Sequence, residues 1–157
     1  MGRPVNAALA AWKRLETKPF GKTIFSRFIC FKAPYFATIS PRFEELRPNY
    51  VRVSMRKRRG VTNHIGTVHA IAMCNLAELA AGTMTEVSIP DSMRWLPKGM
   101  QVDYVKKSTG GVQATATLPE VAEGPARDVP ATVEIKDDAG DLVCRATITM
   151  WISPRKK

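Results

Sequence analysis

The stretch from Val68 to Ala81 constrains the fold most, because it is almost continuously apolar and contains a single carboxylate, Glu78. Thr67 offers an N-cap hydroxyl just before the stretch and Gly82 a terminator just after it, so the pattern predicts a helix over 68–81. A helix that is apolar nearly all round is expected to be enclosed. An ionised carboxylate buried there without a partner would cost several kcal/mol, so Glu78 is expected to have a structural partner or a chemical role.

The hydrophobic period changes to two on both sides of this helix, which predicts β-strands. The predicted strands are Tyr50–Arg56, Met100–Lys107, Val112–Leu118, Ala131–Lys136 and Leu142–Ile152, and 119–130 is predicted to be a loop. The last strand shows the pattern most clearly, since its even-numbered residues are all apolar. An α+β domain whose antiparallel sheet wraps around one long central helix is the hotdog architecture, and this is the predicted fold.

The N-terminal part of the chain is predicted to be helical. Residues from Val5 to Glu16 show an amphipathic helical pattern that ends near Pro19. The following segment, Lys22–Phe36, is strongly apolar and aromatic, and it either lines an acyl pocket or is ordinary core. We therefore expect a helical extension at 1–33 and a hotdog domain at 34–154.

Composition restricts the class of protein. A length of 157 residues and a hydrophobic share of 45% indicate one globular domain. The three cysteines, Cys30, Cys74 and Cys144, are isolated among apolar neighbours and lack metal-ligand spacing, so we expect reduced core residues and no metal site. No apolar run reaches membrane-spanning length, and the start lacks the apolar core of a signal peptide. These features predict a cytoplasmic protein without a membrane partner.

The formal net charge of +10 favours an anionic partner. Basic clusters at the ends of two predicted strands are either a solvated rim or a docking site for the phosphates of a nucleotide-bearing substrate. The candidate phosphate contacts are Arg58, Arg59, Lys106 and Lys107. Nucleic acid is the competing anion, but the sequence has no helix-turn-helix, zinc-finger or ribonucleoprotein signature, and aromatic residues do not interleave with the basic ones. We therefore expect no nucleic-acid partner.

A motif with a chemical meaning surrounds the start of the predicted helix. Asn63, Gly66 and His69 are followed by an acid nine residues after the histidine, at Glu78. This arrangement resembles the Asn-x-x-Gly-x-x-His-Gly-Gly…Asp/Glu pattern of hotdog acyl-CoA thioesterases of the phenylacetate (PaaI-like) and 4-hydroxybenzoyl-CoA types. The parts that look like a poorly characterised bacterial branch of that superfamily are Ala33-Pro34-Tyr35, His69-Ala70 with Asn75 and Glu78, and Arg94–Met100. The resemblance extends from about Cys30 to Ile152.

The resemblance implies hydrolysis of acyl-CoA thioesters, with no metal and no organic cofactor beyond the coenzyme A of the substrate. Glu78 matches the acid that acts as general base towards water or as nucleophile. The backbone N–H of Ala70 matches the oxyanion donor, because it follows the histidine at a helix N-terminus. Asn63 is expected to position the carbonyl or the water, and His69 to orient the loop. The other expected substrate contacts are Gly66, Ile71 and Asn75, the last of which is expected to hydrogen-bond Glu78.

Helix geometry adds a constraint on assembly. Nine residues at 100° each place Glu78 roughly 180° around the helix axis from His69 and about 13 Å along it, so one chain can hardly aim both at one carbonyl. A homodimer or a tetramer with two helices side by side solves this, and the resemblance implies sites at a dimer interface. Ala70-Ile71 replaces the Gly-Gly of many thioesterases, and Ile71 narrows the approach to the oxyanion donor. The alternative is therefore a non-catalytic hotdog module that binds acyl-CoA or only dimerises.

Overall fold

A six-stranded antiparallel sheet and one long helix dominate the computed structural model, which describes residues 6–155. The helices are α1 (Ala7–Leu15), α2 (Gly21–Lys32) and α3 (Ala70–Ser88), with 3₁₀ turns at Pro34–Ile39 and Arg59–Val61. The strands are β1 (Arg42–Arg47), β2 (Tyr50–Met55), β3 (Met93–Tyr104), β4 (Val112–Thr117), β5 (Arg127–Asp137) and β6 (Leu142–Pro154).

The sheet wraps around α3, so the predicted hotdog fold is confirmed. Its strand order is β1-β2-β4-β5-β6-β3, and every neighbouring pair is antiparallel. Strands β1 and β3 form the two edges. The even-numbered residues of β6 from Cys144 to Ile152 are buried against the helix, as their alternation predicts. The fully buried residues of α3 that meet the sheet side of the core include Leu76, Ala77, Ala80, Ala81 and Met84.

The prediction that α3 ends at Gly82 is wrong, because the helix continues to Ser88. Gly82 lies inside the helix and allows Trp95 to approach it, since a Cβ at this position would lie 2.9 Å from the Trp95 ring. The hydroxyls of Thr85 and Ser88 donate back to carbonyls one turn earlier, which satisfies these polar side chains in a buried helix end. The helix stops before Pro90, which cannot continue it.

Several strand boundaries also differ from the prediction. Strand β3 begins at Met93 rather than Met100, and β5 begins at Arg127, inside the predicted loop at 119–130. Strand β1 is not among the predicted strands. Four of its six residues are charged, and its pairing with β2 shifts register between Phe43 and Glu45, so no clean alternation marks it.

The N-terminal helices pack onto the β1 side of the sheet. Trp12 of α1 and Phe43 of β1 hold the ring of Phe25 of α2 between them, edge to face, with centroid distances of 5.1 and 5.2 Å. All three residues belong to the same buried cluster as the core around α3. The division into an extension at 1–33 and a hotdog domain at 34–154 stays a prediction, and Val5, the predicted first residue of α1, lies outside the described residues.

Candidate active site

Helix α3 begins at Ala70, so the prediction of Thr67 as its N-cap is wrong. The two preceding residues are extended because the N–H of Val68 donates to the Ser108 carbonyl at 2.9 Å and that of His69 to the Val61 carbonyl at 2.8 Å. His69 is the N-cap, and its Nδ1 accepts the N–H of Ile71 at 3.0 Å. Within residues 6–155 the N–H of Ala70 makes no hydrogen bond, which leaves it available to an oxyanion.

Asn63 organises the turn that leads into this helix. Its Oδ1 accepts the N–H groups of Ile65 and Thr67 at 3.2 and 3.1 Å, and its Nδ2 donates to the Thr67 hydroxyl at 2.8 Å. Gly66 has a φ of +78°, the left-handed conformation that favours glycine, and its N–H donates to the Asn63 carbonyl. Asn63 and Gly66 therefore fix the loop that carries His69, and one N–H of the Asn63 amide is left for a ligand.

A depression of about 190 Å³ lies beside the first turn of α3. Its lining includes His69, Ile71 and Asn75 of the helix region, with Tyr35 and Thr38 from the 3₁₀ turn at Pro34–Ile39. Asn75 is only 8% exposed, and its Nδ2 donates to the Thr38 hydroxyl at 3.2 Å rather than to Glu78. Its Oδ1 is buried and has no partner among the described residues. An unsatisfied acceptor at this depth is a place for a ligand or a water to donate.

Glu78 is exposed in the single chain, so the prediction that its helix is enclosed on all sides is wrong. The sheet ends at β3, and beyond it no described residue covers the α3 face that carries the exposed Ile71 and Glu78. Glu78 lines a second depression, of about 260 Å³, between α3 and β3. The other lining residues are Pro97, Lys98, Gly99 and Met100 of β3 and Ile148 of β6.

The two depressions share no lining residue. Glu78 follows Ala70 by eight residues, which is about 12 Å of helix, so the oxyanion donor and the carboxylate of one chain are apart. Between them, the Cys74 thiol and the Tyr104 hydroxyl share a hydrogen bond of 3.2 Å. This bond favours the neutral phenol and, with partial burial, raises the pKa of Tyr104 to about 12.

The predicted phosphate contacts lie in different places. Arg58 donates to the Thr38 carbonyl and its guanidinium covers Gly60, at the rim of the first depression. Arg59 is the first residue of the 3₁₀ turn at Arg59–Val61. Lys107 lies next to Ser108, whose carbonyl accepts the N–H of Val68. Lys106 instead pairs with Asp141 at the turn before β6, and this hydrogen bond raises the pKa of its ammonium group.

The cysteines and the metal-ligand residues can also be placed. Cys30, Cys74 and Cys144 are unpaired, and burial raises the pKa of the Cys144 thiol to about 11. In the part of the chain that the structure describes, no three His, Cys, Asp or Glu residues are grouped as a metal site requires. Over the same residues, no helix combines the length and the apolar character that crossing a bilayer demands.

Comparisons with solved structures place the fold among thioesterases. A structural-genomics crystal structure, described without organism or function, is 46% identical, with a TM-score of 0.81, and the match covers 94% of this chain and 98% of the other. A Pseudomonas aeruginosa protein described as a probable thioesterase is 24% identical, with a TM-score of 0.75, over 85% of this chain and 96% of its own. No curated protein matches the chain significantly.

A third solved protein, a thioesterase from Staphylococcus aureus, is 20% identical, with a TM-score of 0.66, over 77% of this chain and 99% of its own. It was solved as two alanine variants, one of a glutamine and one of a glutamate fifteen residues further along. These likenesses confirm the predicted resemblance to hotdog thioesterases at the level of the fold. A family model described as a domain of unknown function, DUF4442, matches residues 21–152. The chain therefore belongs to the DUF4442 family and has the hotdog fold of these thioesterases.

Proposed function

We propose that the protein hydrolyses acyl-CoA thioesters at a site shared by two protomers. One observation carries the proposal: Glu78 is exposed on α3 beside the free edge of the sheet, about 12 Å along the helix from the unpaired N–H of Ala70. A carboxylate and an oxyanion donor are the two groups that the reaction needs. Glu78 is exposed and Ala70 is half-buried at the start of the helix, and for each of them a second copy of the chain can supply the missing group.

The free edge of β3 offers the means of pairing. This strand is twelve residues long, and among residues 6–155 its backbone groups on the outer side have no partner strand. It also exposes the apolar side chains of Leu96, Met100 and Tyr104. Antiparallel pairing of β3 with its copy about a two-fold axis would set the two α3 helices side by side in opposite directions. The start of one helix then faces Glu78 of the other, which makes two identical sites.

The reaction follows from these positions. The thioester carbonyl oxygen accepts the N–H of Ala70 at the positive end of the helix, where developing negative charge is stabilised. The partner's Glu78 takes a proton from water as the water oxygen bonds to the carbonyl carbon. The C–S bond then breaks, the acid leaves, and the proton passes from Glu78 to the departing sulfur. In the nucleophilic variant Glu78 itself bonds to the carbonyl carbon, and the C–S bond breaks to release the thiolate. Water then hydrolyses the resulting anhydride, which frees the acid and the Glu78 carboxylate, and a proton of that water passes to the thiolate. Neither route uses a metal or an organic cofactor.

The remaining residues serve positioning. His69 fixes the first turn, and the spare N–H of Asn63 and the unpaired Oδ1 of Asn75 are suited to hold the water or an amide of the substrate. Asn63 and Glu78 are fifteen residues apart, the same spacing as the amide and acid substituted in the Staphylococcus aureus thioesterase, which supports their assignment. The unpaired cysteines agree with the cytoplasmic location that we propose.

Glu78→Gln tests the chemistry. We expect hydrolysis of a panel of aliphatic and aromatic acyl-CoA substrates, followed by release of free thiol, to fall at least about 100-fold, because a general base or nucleophile is lost. Glu120→Gln is the matched control, since Glu120 is an exposed loop residue, and it should leave the rates unchanged. Equal rates for the Glu78 variant and the wild type would remove this residue from the mechanism.

A complementation experiment tests the shared site. Ala70→Pro deletes the proposed oxyanion donor at the first helical position, where proline is well tolerated. Each single variant should be inactive. When the Ala70→Pro and Glu78→Gln chains are mixed after unfolding, half of the dimers are mixed and each holds one intact site, so about a quarter of the activity should return. If no activity returns although mixed dimers form, the site does not lie between two chains.

Ile71 supports the second candidate, a non-catalytic module that binds acyl-CoA. Its side chain is 56% exposed at the mouth of the first depression, beside the Ala70 N–H, and restricts access to that donor. Titration with coenzyme A separates the candidates. Tight binding without turnover of any acyl chain favours the binding module, whereas activity that increases in Ile71→Gly shows a catalyst limited by access.

A further inference from the structure

A third opening, a basic pocket, lies on the other side of the 3₁₀ turn at Pro34–Ile39 from the depression at the start of α3. Its volume is about 500 Å³, and its lining includes Arg27 of α2, Arg42 of β1 and Arg56 just after β2. Three separate segments of the chain therefore each contribute an arginine to the lining of one opening. None of these arginines is among the predicted phosphate contacts.

The charges of this pocket are not balanced within the protein. Among the described residues, Glu44 is the one carboxylate within 4.0 Å of the pocket's arginines, and it is shared between Arg42 at 3.6 Å and Lys22 at 3.5 Å. Arg27 and Arg56 have no carboxylate within 4.0 Å among residues 6–155. Cations held together in this way repel one another, and an anion in the pocket would offset the repulsion.

The polar groups of the pocket suit a phosphate in particular. Guanidinium forks match the geometry of phosphate oxygens and donate to them in pairs. The hydroxyls of Thr23 and Ser40 line the opening as further donors, whereas those of Ser26 and Ser54 are already engaged by the protein. A phosphate monoester carries close to two negative charges at neutral pH, so it neutralises more of the positive charge of the pocket than a carboxylate or a phosphodiester does.

The pocket adjoins the proposed active site. The 3₁₀ turn and the residue after it line the basic pocket with Ala37 and Ser40, and the turn lines the depression at the start of α3 with Tyr35 and Thr38. One short turn therefore separates the two. Of the phosphate contacts predicted from sequence, Arg58 is bound to the Thr38 carbonyl and Lys106 to Asp141, whereas Arg27 and Arg56 of the pocket have no carboxylate partner in the described chain.

We propose that Arg27, Arg42 and Arg56 bind a phosphate monoester. Resting on the proposed function, we assign this group to the 3′-phosphate at the nucleotide end of the acyl-CoA substrate. The arginines are thus specificity residues that distinguish a coenzyme A thioester from the same thioester without that phosphate. They take no part in the chemistry at the carbonyl.

Binding measurements test the pocket without depending on turnover. Coenzyme A, 3′-dephospho-coenzyme A and inorganic phosphate are titrated by calorimetry into the wild type and into Arg27→Glu and Arg56→Glu. We expect the wild type to prefer coenzyme A over the dephospho form by about tenfold, the worth of one charge-assisted contact at an exposed site, and each variant to bind the two equally. Arg14→Glu is the matched control, since this exposed arginine of α1 lies outside the pocket and should keep the preference.

Cys30 lines the pocket and gives a second reading of its occupancy. In a Cys74→Ser background, coenzyme A should slow the modification of Cys30 by a thiol reagent, and Arg27→Glu should abolish this protection. If inorganic phosphate protects as well as coenzyme A and the wild type does not prefer the 3′-phosphate, the assignment to the substrate is overturned. If no phosphate compound binds or protects, the pocket itself is overturned.

Kinetics distinguish a failure of the pocket from a failure of the proposed function. Loss of a contact that is equally strong in ground and transition states raises KM and leaves kcat unchanged. We therefore expect the Arg27 and Arg56 variants to raise KM for acyl-CoA about tenfold. Normal KM values in active variants overturn the pocket and leave the hydrolase standing, whereas arginine-dependent binding of coenzyme A without any turnover overturns the hydrolase and leaves the pocket standing.

Discussion

Phe25 links the N-terminal helices to the core. Its replacement by leucine measures how much its ring contacts contribute to the free energy of unfolding. The ring is fully buried and meets Trp12 at an interplanar angle of 72° and Phe43 at 90°, both edge to face. Leucine keeps an apolar side chain in place but loses both ring pairs, each worth about 0.5–1.5 kcal/mol. We expect Phe25→Leu to lower the free energy of unfolding by about 2 kcal/mol. Phe25→Ala also leaves a cavity and should cost about 3–5 kcal/mol.

The assay is urea unfolding at one fixed protein concentration, because any dimerisation adds to the apparent stability. In a chain of this size the leucine variant should also lower Tm by about 4–8 °C. Phe31→Leu is the matched control on the same helix, since Phe31 is 85% exposed and should change the stability by less than about 0.5 kcal/mol. A Phe25→Leu variant as stable as the wild type would refute the contribution of ring geometry. A cost below about 1 kcal/mol for Phe25→Ala would refute the docking of α2.

Three further substitutions test local features. Cys74→Ala should lower the pKa of Tyr104 from about 12 towards its ordinary value of 10.0, because the hydrogen bond that favours the neutral phenol is lost. Tyrosinate absorbance during alkaline titration measures this pKa. A Tyr104 that still titrates near 12 in the variant contradicts the prediction. Gly82→Ala should lower the free energy of unfolding by about 1 kcal/mol despite the better helix propensity of alanine, because the new Cβ meets the Trp95 ring. In a Trp95→Leu background the same change should raise the free energy of unfolding. Chemical unfolding that shows the same sign in both backgrounds would refute the clash. Asn63→Ala removes three hydrogen bonds and should lower the free energy of unfolding by about 2 kcal/mol in the same assay. Asn63→Asp keeps the acceptor oxygen and should lower it by less. A larger loss of stability in Asn63→Asp than in Asn63→Ala would contradict the assigned bonds.

Local sequence patterns predict those elements whose burial follows a simple period. The alternation in β6 places the correct face inward, and the apolar run after His69 identifies the central helix. The ends of α3 depend on contacts that no local pattern contains. Carbonyls of Ser108 and Val61 hold the chain extended before the helix, and Trp95 explains a glycine that otherwise resembles a terminator. Tertiary contacts override capping propensity in both places.

The candidate site shows the same division. The assignment of Asn63, His69 and Glu78 to a site stays a prediction, which their resemblance to the thioesterase motif supplies because one turn and one helix carry all three. The contribution of Thr38 to the first depression is invisible in the sequence, since it comes from a short 3₁₀ turn that lies more than thirty residues before Asn75. The convergence of arginines from α2, β1 and the end of β2 is likewise a product of the fold.

The two edges of the sheet are unequal, and this inequality limits how chains can add to one another. Strand β1 is half as long as β3, four of its six residues are charged, and its register shifts at Phe43, whose N–H is taken up by the Ser26 hydroxyl of α2 at 2.9 Å. A short, charged and irregular edge strand such as β1 resists strand addition, whereas the opposite edge strand, β3, is long and has no partner strand among the described residues. In the dimer that we propose, growth through sheet edges therefore stops once two β3 edges have met, so strand addition at these edges does not lead to an endless filament.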